Sequence, residues 1–228
     1  MKIPLLVEVI GEPAVGKTHF SLTFPQPFLI DTTPKAEAMV IAMKLHKDWK
    51  KRYVNATRYE ELVSAVEEAV RREDVKTVII DTGADLQAIA AKHYLEMKKR
   101  QGLMPVEYGR VRDMVDQQII RRVIESEKNL VVTAQVKDEY IDGQKTGRKI
   151  RDGYPRLPHM ADIELQIILD KEASPPKRRI MVLKNRFMDA TDPNYISELE
   201  PQNAEGVKQL VIKSLGWSEA EASEYLIW

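Results

Sequence analysis

Residues 11–18 read Gly11-Glu12-Pro13-Ala14-Val15-Gly16-Lys17-Thr18, a complete G-x-x-x-x-G-K-[ST] octet. It is preceded by the short apolar run Leu5–Ile10, which reads as a buried strand. It is followed by Thr18–Phe24, which reads as a helix stopped by Pro25. Strand, glycine-rich turn and helix form the context in which this octet cradles phosphate. Gly11 and Gly16 let the backbone turn its N–H groups inward, and the helix start offers its positive end to an anion. Lys17 reaches the terminal phosphates and the Thr18 hydroxyl ligates Mg²⁺. The whole segment Gly11–Thr18, together with His19, is the expected nucleotide-binding element, with ATP and Mg²⁺ as its ligands.

Outward from this turn the chain alternates strands and helices. Phe28–Asp31, Thr77–Asp81 and Leu130–Ala134 read as buried strands, and Tyr53-Val54 as a short one. Helices are expected over 35–48, from the capping-box spacing Thr57…Glu60 to about Arg72, over 85–100 and over 105–127. This order implies right-handed crossovers and a mainly parallel sheet covered on both faces, an α/β three-layer fold. Residues 137–160 are polar, basic and punctuated by Gly and Pro. Ile163–Leu169 and Arg179–Leu183 read as a hairpin around Ser174-Pro175-Pro176, and helices over 203–215 and 218–227 close the chain. Residues 1–187 form the expected core and 188–228 a helical extension packed on it.

Composition sets the limits. The 228 residues carry 35 Lys+Arg, 35 Asp+Glu and no Cys. The absence of Cys removes disulfide scaffolds, thiolate metal sites and thiol nucleophiles. No apolar run has the length of a membrane span. Lys2 and Glu8 bring charge too early for a signal peptide, so a cytoplasmic protein is expected. The zero net charge is a cancellation: residues 1–136 carry 21 basic and 19 acidic side chains, residues 137–186 carry 12 and 8, and residues 187–228 carry 2 and 8.

Asp81 stands at the end of a buried strand, where a carboxylate can hold Mg²⁺ directly or through water. An ordinary strand-ending Asp at a turn is the alternative. The long stretch between Thr18 and Gly83 leaves room for another strand between the Gly11 and Asp81 strands. Leu130–Ala134 would then intervene, with Gln135 at its tip as a γ-phosphate sensor or, alternatively, a solvent-facing amide.

Together these residues resemble the RecA-like ATPase core, and more closely the short phage-type RecA-core ATPases grouped with single-strand annealing proteins. The likeness covers roughly residues 4–187. It rests on the Gly11–Thr18 turn, Phe28-Leu29-Ile30-Asp31-Thr32, the Asp81 strand, Thr133-Ala134-Gln135 and Lys184-Asn185-Arg186. The resemblance implies an ATPase in a ring or filament, with Lys184 and Arg186 reaching a neighbour's γ-phosphate in trans, and a phage- or virus-encoded protein of the host cytoplasm. A solvated basic strand end is the other reading of Lys184 and Arg186. It also implies that the segment after the fourth strand contacts single-stranded DNA. Here that segment carries Lys137, Lys145, Arg148, Lys149, Arg151 and Arg156, interleaved with Tyr140 and Tyr154, the chemistry of phosphate tracking and base stacking. The same segment also reads as a mobile, solvated hairpin turning at Asp142-Gly143.

One departure bears on turnover. RecA-like proteins carry Asp-x-Glu at the end of the second strand, with the Glu polarising the attacking water. Here the residues are Asp31-Thr32-Thr33. Either Asp31 or Glu37 substitutes, or the protein is an ATP-gated binder that hydrolyses slowly. A P-loop kinase with a small-molecule acceptor is the third reading.

Overall fold

The computed structural model describes residues 2–36, 38–170 and 172–228. Eight strands form one sheet: β1 (Leu6–Gly11), β2 (Pro27–Asp31), β3 (Tyr53–Asn55), β4 (Thr77–Asp81), β5 (Asn129–Ile141), β6 (Gln144–Asp152), β7 (Ile163–Asp170) and β8 (Lys177–Asn185). Their order is β3-β2-β4-β5-β1-β7-β8, with β6 paired to the outer part of β5. Every pairing from β3 through β7 is parallel; only β5–β6 and β7–β8 are antiparallel hairpins. Strand β5 does lie between β1 and β4.

The alternation of side chains along each strand divides the core into two. Leu5, Val7, Val9, Leu29, Ile79 and Val131 face one side, where they meet Phe20, Leu22 and Phe24 around α1 (Lys17–Ser21) and Ala42 of α2 (Met39–Leu45). Leu6, Phe28, Ile30, Val78, Ile80 and Val132 face the other. There they meet α3 (Tyr59–Arg71), α4 (Leu86–Lys98) and the continuous helical run of α5 (Glu107–Val115), a π-helical turn (Asp116–Arg121) and α6 (Arg122–Glu125). A four-residue helix, α7 (Leu157–Met160), precedes β7. The closing helices α8 (Ala204–Leu215) and α9 (Glu219–Tyr225) add Val207, Leu210, Val211 and Ala222 to the first core. Burying each such aliphatic side chain stabilises by about 1.5–3 kcal/mol.

Several expected boundaries move, for local reasons. The helix expected over 35–48 is only α2 plus a 3-10 turn at Trp49–Lys51. Its entry is held by the Asp31 carboxylate, which accepts from Ala38 N at 3.1 Å. The capping box of α3 sits one residue late: Glu61 Oε2 accepts from Arg58 N at 3.1 Å. The largest difference is that β5 does not end at Ala134. It runs on to Ile141, turns at Asp142 (φ 51°) and Gly143 (φ 77°), and returns as β6. Positive φ at both turn residues is the two-residue hairpin conformation that Asp-Gly favours.

Candidate nucleotide site

The carboxyl ends of β1, β4 and β5 open into one cleft of about 600 Å³, where parallel sheets of this kind bind ligands. Gly16 precedes α1 at φ 105°, a conformation only glycine adopts without strain. Gly11 is equally constrained, because a Cβ there would lie 2.9 Å from Ile167 O. No side chain caps α1, so its first amides are left for a ligand. Lys17, only 8% exposed, folds back on the turn and donates to Gly11 O at 3.0 Å and Glu12 O at 2.8 Å. Burial pushes its pKa down, and the nearby Asp81 carboxylate partly offsets that.

Asp81 is the hub. Its Oδ2 accepts from Thr18 Oγ1 at 2.5 Å and its Oδ1 accepts from Thr133 Oγ1 at 2.5 Å. The β4 carboxylate is thereby tied to the phosphate turn on one side and to β5 on the other. The Thr18 and Asp81 oxygens suit Mg²⁺, which prefers few protein oxygens and completes its shell with water and phosphate. Among the described residues no group of three or more His, Cys, Asp or Glu could hold a metal. Gln135 pairs in register with Gly11 and lines the cleft, as do Pro13, Ala14 and His19. Val15 is buried against the Gly11 turn, and Glu12 ion-pairs with Lys149 at 2.7 Å. A larger groove of about 740 Å³ lies between α4 and the β5–β6 hairpin, but none of the phosphate-turn residues lines it.

Asp31 is fully buried and fully engaged. Its Oδ1 accepts from Thr33 N at 2.9 Å and Thr33 Oγ1 at 2.7 Å, and its Oδ2 accepts from Ala38 N and Tyr53 Oη, both at 3.1 Å. Such a carboxylate holds a loop together and has no idle oxygen for a water. Glu37, the other acidic candidate, lies outside the described residues. Asp85 lines a crevice beside Thr33 and Gln135, and burial raises its pKa.

Lys184 and Arg186 lie at the opposite end of the sheet from the cleft. β8 runs antiparallel to β7, so Lys184 pairs with Glu164 while Ile167 pairs with Gly11. Lys184 Nζ donates to Pro158 O at 2.6 Å, and Arg186 bonds Asp162 at 2.9 Å and Met160 O at 3.0 Å. Neither can reach the cleft of its own chain. The basic residues of the hairpin divide. Tyr140 is 62% exposed, and Lys137, Lys145, Arg148 and Lys149 are exposed with it. Arg151 instead turns inward to the fully buried Glu8, with Nε 2.7 Å from Glu8 Oε1. Tyr154 is fully buried and donates to Asp116 Oδ1 at 2.7 Å; Arg156 pairs with Asp116 at 2.5 Å and Asp113 at 2.6 Å. Arg151, Tyr154 and Arg156 are therefore internal struts, and the exposed set shrinks to the outer hairpin.

The cleft residues that sequence reasoning missed are Ala38, Ile41, Lys44 and Leu45, on or beside α2, and, on β8, Arg178. Parity with the inward-facing Ile180 and Val182 was the available signal for Arg178, but the strand expected over Arg179–Leu183 left it in a turn.

A model of the AAA domain family matches residues 4–194. A search of the curated proteins finds no match. Among solved structures, a KaiC-like protein from the hyperthermophilic archaeon Pyrococcus horikoshii superposes with a TM-score of 0.51 at 13% identity, covering 86% of this chain and 83% of that one. At that identity the likeness speaks for the fold alone. With the Gly11–Thr18 turn, the Asp81 hub and the interposed β5, these matches establish that the chain belongs to the AAA domain family and carries the RecA-like fold of P-loop ATPases.

Proposed function

We propose that the protein is a Mg²⁺-dependent ATPase that works on single-stranded DNA as a head-to-tail ring or filament, in recombination, annealing or replication. The observation that carries the ATPase reading is the convergence of Lys17, Thr18 and Asp81 in one cleft, with Thr18 and Asp81 oxygens 2.5 Å apart. In this reading Lys17 leaves its two carbonyl partners for the β- and γ-phosphates. Thr18 and Asp81 hold the metal, which when bound neutralises phosphate charge. Water attacks the γ-phosphate in line, and Gln135 senses whether that phosphate is present. Lys184 and Arg186, unable to serve their own cleft, serve a neighbour's, which requires a head-to-tail interface.

The DNA part of the proposal is supported by the outer β5–β6 hairpin, where Tyr140 and four cationic side chains stand exposed and Lys149 is tied to Glu12 of the phosphate turn. A second reading is a nucleotide-gated binder without appreciable turnover. It is favoured by the four hydrogen bonds that occupy Asp31 and by Thr33 in the position of the usual Glu. One assay separates the two: ATP hydrolysis with and without single-stranded DNA, coupled to a mass measurement in ATP. Hydrolysis stimulated by DNA in a multi-chain assembly supports the first reading. Tight ATP binding without turnover supports the second.

A further inference from the structure

Arg178 occupies an unusual position for a surface cation. It is exposed and lies against the phosphate turn: a Cβ placed on Gly16 would be 3.3 Å from its guanidinium carbon. It lines the same cleft as Lys17, Thr18 and Asp81. Among the described residues it makes no hydrogen bond or ion pair, whereas the adjacent Arg179 points elsewhere and is held by Glu198 at 2.7 Å. A guanidinium carries five donors in a planar fork that matches phosphate oxygens, and here all five lack protein acceptors. The backbone explains the location. β7 and β8 extend past the end of β1, since Ile167 pairs with Gly11 while Arg178 pairs with Leu169 two residues further on. Parity with Ile180 and Val182 directs Arg178 to the α1 side of the sheet, over the turn.

We propose that Arg178 is a nucleotide-binding residue that contacts the polyphosphate in cis, as a second cation beside Lys17. This rests on the assignment of the cleft to a nucleotide. It gives each chain a cation on its own phosphate turn, separate from Lys184 and Arg186, which lie at the far end of the sheet.

The test uses the full-length protein and two probes, MgATP and inorganic tripolyphosphate. Arg178→Ala is expected to weaken both by about 10- to 100-fold, the worth of one or two charge-assisted bonds. Arg178→Lys is expected to recover part of the loss, because the charge returns without the fork. Unchanged circular dichroism and thermal unfolding of both variants will show that the fold is intact. Mixing Arg178→Ala with Lys17→Ala chains is expected to restore nothing, since a cis residue leaves no complete site in either. The proposal is overturned if Arg178→Ala binds both probes as wild type does, if only MgATP is weakened (a contact to the base), or if mixing restores binding (a contact in trans). Retained MgATP binding by Lys17→Ala, or none by the wild type, would instead remove the cleft assignment and this proposal with it.

Discussion

Replacing Lys17 with Met separates a ligand-binding lysine from a structural one. Without nucleotide, Lys17 is buried and its ammonium spends two hydrogen bonds on the carbonyls of Gly11 and Glu12. Each such bond contributes about 1 kcal/mol net, while relief of the ammonium's desolvation acts in the opposite direction. Asp81 keeps its two hydroxyl donors, so its charge is not stranded. The apo variant should therefore unfold within about 1 kcal/mol of wild type, or about 2–4 °C for a chain of this size. In the complex, trading neutral carbonyls for charged phosphate oxygens is worth about 2–4 kcal/mol, so MgATP affinity should fall about 30- to 700-fold. Titration calorimetry and scanning calorimetry measure the two quantities on the same samples. Affinity within threefold of wild type, or an apo melting point more than about 10 °C lower, would refute the reasoning. The pH dependence adds a sign. Burial lowers the Lys17 pKa, so the charged form opposes folding below that lowered value, and the opposition fades as pH rises through it toward the ordinary 10.5. Wild-type apoprotein should gain stability relative to the Met variant over that interval; a relative loss contradicts the assignment.

Asp81→Asn should leave metal-free ATP binding nearly intact and remove most of the gain that Mg²⁺ gives, as read from affinities with Mg²⁺ and with a chelator. Arg151→Ala strands the Glu8 charge at a fully buried position and should destabilise the protein by about 3–5 kcal/mol at neutral pH. Because burial already raises the Glu8 pKa, part of that loss should return as pH falls and Glu8 takes a proton; denaturant melts at two pH values check it. Tyr140→Ala and Arg148→Ala should each weaken single-strand binding several-fold. Only Arg148→Ala should also flatten the salt dependence, and both should leave MgATP affinity unchanged.

Legibility followed the physical constraints. The phosphate turn could be read because Gly11 and Gly16 are required by backbone geometry, and Asp81 because a carboxylate ends an otherwise apolar strand. The place of β5 between β1 and β4 followed from the chain length between Thr18 and Gly83. The Asp142-Gly143 hairpin could be read as one of two alternatives, but the length of its strands could not, since a two-stranded arm with both faces in solvent has no apolar alternation to betray it. Glu8 lies within an apolar run and is fully buried, but nothing local in the sequence names Arg151 as its partner. Asp31 looked like a catalytic acid by position. Only the loop that folds back on it, through Thr33, Ala38 and Tyr53, reveals that its oxygens are taken.

The most direct test of the central claim is titration of MgATP into the wild-type protein with hydrolysis followed in the same samples. One nucleotide should bind per chain, with an affinity that falls about 30- to 700-fold on Lys17→Met and phosphate release that rises when single-stranded DNA is added. Wild-type protein that binds no MgATP at millimolar concentration would contradict the claim.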